Sequence, residues 1–203
     1  MSHGLRAALV AALFLPAAAP LAAQAPVFTI DRAHTQVLFR VRHMGVAYVT
    51  GKFREFEGSF AFDSTNLAAS SARLAIRTAS VDTENDRRDT HLRSPDFFAA
   101  DSFPEITFLS RQVERGRAPG TYRVTGDLTI RGITRPITLD AELVGMRVVP
   151  GQQGSAIVAG WVLTGSVNRH DYGLRWNRLI EGVNVVGDDV RITVEVEARA
   201  PAS

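Results

Sequence analysis

From Tyr122 to Arg131 the side chains alternate with period two. Tyr122, Val124, Gly126, Leu128 and Ile130 fall on one parity, and Arg123, Thr125, Asp127, Thr129 and Arg131 on the other. Successive side chains of a strand point to opposite faces, so the pattern predicts a strand with one dry and one wet face. Ile192, Val194, Val196 and Ala198 alternate in the same way with Arg191, Thr193, Glu195, Glu197 and Arg199, and Val37, Phe39 and Val41 with Gln36, Arg40 and Arg42. Leu38 is the outward exception. Shorter copies stand at Leu74 and Ile76, at Ile106 and Phe108, at Ile137, Leu139 and Leu143, and from Ile157 through Trp161 and Leu163 to Val167. With the segments 49–55 and 56–62 the chain predicts about eight antiparallel strands.

Turn-forming residues separate these runs at Asp63–Asn66, Gly116–Gly120, Gly132–Pro136 and Pro150–Gly154. Connections this short join neighbouring antiparallel strands rather than parallel crossovers. The rhythm breaks from Thr83 to about Ser102, which reads as two short helical turns. Thr83 with Asp86 fits a capping box, and Ser94 before Pro95 fits a cap with proline at the first helical position. A second irregular stretch runs from Asn168 to Asp189, and no repeat or linker divides the chain from residue 26 to 203.

Strands dry on one face must bury it, by closing into a barrel or by packing as two sheets. Closure also removes exposed edges. The dry parity places Phe39, Val41, Ile76, Phe108, Leu128, Ile130, Trp161 and Leu163 on an inner wall. Gly126, Thr78, Ala141, Ala159 and Gly165 are small residues on the same face. Small inward residues leave room for a ligand, but they also let strands coil in a solid core, and periodicity does not choose between the two.

Ahead of this domain, Arg6 precedes the apolar run 7–15 and then small residues to Ala25, a pattern predicting a cleaved export leader over residues 1–25. Ala23, Gln24 and Ala25 give an A-x-A cleavage signal, with a cut after Ala23 as the alternative. Pro16 and Pro20 interrupt the run and argue against a membrane anchor, and no later segment suits an integral span. The 203 residues include no cysteine, which excludes disulfides, thiolate catalysis and Cys-ligated zinc. The net charge of +2 rests on scattered arginines, with Lys52 the only lysine, and forms no stripe for nucleic acid.

Several motifs resemble the YceI-like lipid-binding family. They are IDRAHTQVLF from Ile30 to Phe39, GKF from Gly51 to Phe53, and DRRDTHLRSPDFF from Asp86 to Phe98. Next comes Pro104, Ile106, Phe108 and Ser110 as P-x-I-x-F-x-S, followed by GDLTIRGITRP from Gly126 to Pro136. Last is Arg169, Asp171, Tyr172, Gly173, Leu174 and Trp176 as R-x-D-[FY]-G-L-x-W. The one small departure is Thr35, where the family often has Ser.

The resemblance implies an all-β, eight-stranded antiparallel, lipocalin-like barrel with a short helical insert, exported to the periplasm. Its lumen would hold a polyisoprenoid chain or isoprenoid quinone as ligand, without a cofactor and without catalysis, in a carrier or storage role. A homodimer stays open. On that reading Phe97, Phe98 and Trp176 belong to a mouth or lid, or plug one end. His91, Arg88 and Asp89 hold a polar head group, or tie the insert to the barrel.

Two rivals remain at this point, a secreted β-sandwich interaction module with a filled core and a periplasmic enzyme or metal protein. The metal reading would use His34, His43, His91 and His170, but these lack ligand spacing such as H-E-x-x-H, and no G-x-S-x-G elbow occurs.

Overall fold

Period-two alternation becomes strand wherever it occurs in a computed structural model that describes residues 25–202 apart from 152, 153 and 181. The leader expectation falls, except for Ala25, outside the described residues. The strands are β1 (Val27–Ile30), β2 (Gln36–His43), β3 (Ala47–Phe53), β4 (Phe56–Ala61), β5 (Ser71–Arg77) and β6 (Val81–Asp82), then β7 (Glu105–Arg115), β8 (Thr121–Ile130), β9 (Ile133–Val149) and β10 (Ala156–Asn168). A small hairpin, β11 (Leu179–Ile180) with β12 (Val183–Asn184), precedes β13 (Val186–Pro201), and one helix, α1 (Asp86–Arg93), follows β6.

All pairings are antiparallel, and the sheet closes on itself. The order β1-β4-β5-β7-β8-β9-β10-β13 returns from β13 to β1 through Thr29 opposite Arg199 and Ile30 opposite Ala198. The early part of β13 pairs instead with β2, from Val190 opposite Val41 to Glu195 opposite Gln36. Thus β1 and β2 lie one after the other along β13, β3 and β4 along the next position, and β5 and β6 along the one after. Eight positions around the barrel are filled by more than eight strands. Closure through β13 and β1 excludes the two-sheet sandwich.

The inward parity is the expected one. In β8, Tyr122, Val124, Gly126 and Leu128 are buried while Arg123 is exposed. In β13, Val194, Val196, Ala198 and Ala200 are buried.

Three local expectations change. The helix cap is Asn85, whose side chain accepts from the Arg88 backbone N–H at 3.0 Å, whereas Thr83 lies outside the helix. Ser94 and Pro95 start no second helix. The Ser94 hydroxyl instead donates to the His91 carbonyl at 2.7 Å, and residues 95–98 form a turn. The β8–β9 connection is only Arg131 and Gly132, both with positive φ (52° and 69°), in the manner of a two-residue primed hairpin. Pro136 therefore sits inside β9, opposite Asp127 and short of the stretch where β9 pairs with β10, so its missing N–H breaks no ladder there.

Candidate ligand cavity

Inside the barrel is an apolar cavity of about 250 Å3. A cavity of roughly 150 Å3 lined by aliphatic and aromatic side chains already stays dry and takes up benzene. Of the twelve residues named from the sequence, Phe39, Val41, Ile76, Phe97, Phe98, Phe108, Leu128, Ile130, Trp161 and Leu163 line this cavity. His91 and Trp176 do not. They pack on the outer side of Phe97, with ring centroids 5.0 Å and 5.2 Å from it and 4.7 Å from each other.

Inward glycines shape the wall, but not by leaving gaps. A Cβ on Gly51 would stand 2.2 Å from Phe39 Cζ, one on Gly126 2.6 Å from Phe108 Cζ, and one on Gly165 2.6 Å from Leu139 Cδ2. Large side chains from neighbouring strands therefore lie flat over glycine instead of projecting across the lumen. The space stays central because the bulk is held against the wall.

The two ends of the barrel differ. Where β7 turns into β8, Phe62, Tyr122 and Trp161 meet edge to face or tilted, at centroid distances of 4.9 to 5.6 Å. Among the described residues the buried Trp161 indole N–H has no hydrogen-bond partner. The opposite end, which carries the β8–β9 hairpin, is covered by the insert. Phe97, Phe98 and Leu92 come from the insert, and Tyr172 and Leu174 from the stretch after β10.

The motif residues hold this cover in place. The Asp89 carboxylate accepts from the Thr83 backbone N–H at 2.9 Å and from the Thr83 hydroxyl, while Arg88 Nε donates to that hydroxyl and Nη2 to the Thr83 carbonyl, each at 2.7 Å. Arg131 Nη1 donates to the carbonyls of Pro95 and Phe97. Arg169, only 4% exposed, makes five hydrogen bonds, to the carbonyls of Leu174, Trp176, Val186 and Gly187 and to the Asp188 carboxylate. Burial lowers the pKa of this guanidinium, and Asp188 opposes that effect. Every N–H of the group is taken, so it has no donor left for a ligand. Sequence reasoning gave Arg169 a pairing role in the last loop and missed its place in the cavity wall.

The opening motif is likewise structural. The Thr35 hydroxyl donates to the Glu197 carbonyl at 3.2 Å and accepts from the Glu197 N–H at 3.1 Å, pinning the β1–β2 connection to β13. Asp31, His34 and Glu197 gather three potential metal-binding atoms within 4.8 Å of one another, a cluster the histidine count alone did not suggest. The Asp31 carboxyl is held below its usual pKa, first by the His34 hydrogen bond and then by the Ala33 N–H. Arg199 lies 3.6 Å from Asp31 and 3.1 Å from Glu197, already balancing the acidic charge.

Chemically the cavity can hold and orient an apolar molecule. Among the described residues Arg73 and Arg169 are its only charged lining residues, and Arg73 Nε donates to Ser59 at 2.8 Å. No carboxylate or imidazole lines it among the described residues.

A model of the YceI-like domain matches residues 28–198. A UPF0312 protein of Staphylococcus aureus strain MSSA476 is 37% identical over 171 residues, covering 84% of this chain and 95% of its own. The crystal structure of a Campylobacter jejuni YceI protein aligns with a TM-score of 0.63 at 32% identity, over 86% of this chain and 98% of that one. A polyisoprenoid binding domain from Saccharophagus degradans shares the fold, with a TM-score of 0.61 at 18% identity over 87% and 99% of the two chains. With its motifs in order and the closed barrel around an apolar cavity, the chain belongs to the YceI-like family.

Proposed function

We propose that this protein holds one long apolar lipid of the polyisoprenoid class, such as a polyprenyl chain or an isoprenoid quinone, in the barrel lumen, and carries or stores it unchanged after export to the periplasm. The observation that carries the reading is the cavity wall: aliphatic and aromatic side chains from all around the barrel, with both charged lining residues already bonded. Each CH2 transferred from water to such a wall contributes about 0.8 kcal/mol, so chain length supplies affinity without directional partners. The polyisoprenoid binding named for the structural relative from Saccharophagus degradans supports the same ligand class. The apolar run 7–15 behind Arg6 supports export.

Native mass spectrometry of protein purified from a bacterial host, followed by organic extraction, tests this reading. The expected result is about one long-chain isoprenoid lipid per chain, as one lumen predicts. Leu128→Arg or Ile130→Arg, on the inward parity, should abolish retention while the outward Thr129→Arg keeps it. A chain that releases no lipid, or equal retention by all three variants, would contradict the proposal.

A further inference from the structure

The barrel end that carries α1 also carries an exposed apolar rim. Val46 in the β2–β3 turn is 87% exposed, and on the β11–β12 hairpin Leu179 is 67% and Val183 44% exposed, with Ile180 beside them. The two tips belong to one surface. The Met44 N–H donates to the Val185 carbonyl at 3.0 Å, and the Val185 N–H to the Arg178 carbonyl at 2.9 Å. Single exposed apolar side chains are ordinary, but four gathered on the outermost turns of one end mark an interaction surface.

Arginines surround this rim. Arg178 opens the hairpin, and Arg40, Arg42 and Arg191 stand on the outer face of β2 and β13, with Arg191 opposite Arg40. Tyr48 lies among them. The Arg40 guanidinium sits 4.0 Å over its ring and Arg42 5.5 Å, and Arg42 Nη2 donates to the Tyr48 hydroxyl at 3.2 Å. Among the described residues the arginine ion pairs use Arg54, Arg111, Arg169 and Arg199, and none of these four. The adjacent Asp188 is already held by Arg169 at 3.0 Å.

Apolar tips backed by a tyrosine and by four arginines that form no ion pair among the described residues complement an anionic lipid surface. The acidic residues close by in the sequence, Glu181 and Asp189, offset only part of that positive charge. The tips can enter the acyl region, the tyrosine sits at the interface, and the arginines reach the phosphates along their apolar stems. A second copy fits less well, because a two-fold contact would set the same four arginines against themselves.

We propose that this rim docks the barrel on an anionic phospholipid bilayer, with Val46, Leu179, Ile180 and Val183 dipping between the lipids and Arg40, Arg42, Arg178 and Arg191 on the phosphates. Val186, which follows the hairpin at the start of β13, lines the lumen, so the docked face is continuous with the cavity wall. Docking goes beyond the lumen reading and does not depend on it.

Co-sedimentation of the chain from Ala25 onward, whose strands close the barrel by themselves, tests the proposal with vesicles of phosphatidylcholine alone and of phosphatidylcholine mixed with phosphatidylglycerol. Binding should favour the mixed vesicles and weaken with salt. Arg40→Gln with Arg42→Gln should weaken it about fivefold per arginine replaced, and Leu179→Ser with Val183→Ser by about tenfold or more. Extracted lumen lipid should be unchanged in both, which separates loss of docking from loss of the lumen ligand. Equal binding to both vesicle types, no binding, or variants that bind like the parent overturn the proposal. So does a serine variant that loses only a dimer mass in light scattering.

Discussion

Gly51 shows how one residue sets the width of the lumen. It lies beneath the Phe39 ring, with Thr83 Cγ2 2.8 Å from where its Cβ would be, and Thr83 is fixed by Asp89 and Arg88. Gly51→Ala should therefore drive the ring off the wall and cost about 1 to 3 kcal/mol, the usual range for overpacking. Adding Phe39→Leu should recover at least half of that loss, because the two positions are in contact and couple. Thermal unfolding of both variants checks this, and strictly additive losses would contradict the flat-ring geometry. The sequence showed which side chains face inward, since parity in a strand is a local property. It did not show that Gly51, Gly126 and Gly165 are each covered by a neighbour, because that depends on which residue the adjacent strand places opposite. That His91 and Trp176 pack on Phe97 outside the cavity lining was not legible for a related reason: irregular backbone has no period from which to read direction.

Among the elements, the stretch between β10 and β13 depends most on a single side chain. Residues 169–172 form a short 3-10 turn that ends at Gly173, which has φ of 73°, and the chain then wanders to the β11–β12 hairpin. With few strand partners of their own, the carbonyls of Leu174, Trp176, Val186 and Gly187 turn to Arg169. Lysine keeps the charge but offers three donors without the planar fork. Arg169→Lys should leave carbonyls unsatisfied and lower Tm by roughly 10 °C, with 2 to 4 kcal/mol lost. An unchanged Tm would show that the network is not holding the loop. The R-x-D motif flagged Arg169 in the sequence, but its five partners are spread over a loop whose path no local pattern encodes. The α1 cap moved by two residues for a simpler reason. Asn85 and Thr83 are both competent caps, and Thr83 is engaged elsewhere, by Asp89.

At the scale of the whole molecule, the barrel is a wall of alternating side chains closed by β13, with one end tied down by the motif residues. The antiparallel architecture was readable because about eight one-faced strands leave few other solutions. The sharing of three barrel positions by pairs of shorter strands was not, since a strand break inside a position looks in sequence like an ordinary turn. The hollow centre was likewise not decided by periodicity, and it follows from rings lying along the wall over glycine.

The chain has two tryptophans, Trp161 in the cavity wall and Trp176 outside it. Replacing Trp176 with Phe leaves an indole reporting on the lumen alone. Titrating delipidated Trp176→Phe protein with a long-chain isoprenoid quinone tests the lumen most directly. The expected result is saturable quenching of Trp161 fluorescence at about one quinone per chain, as a single barrel lumen requires. Emission that stays unquenched as quinone is added would contradict a lumen that takes up the lipid.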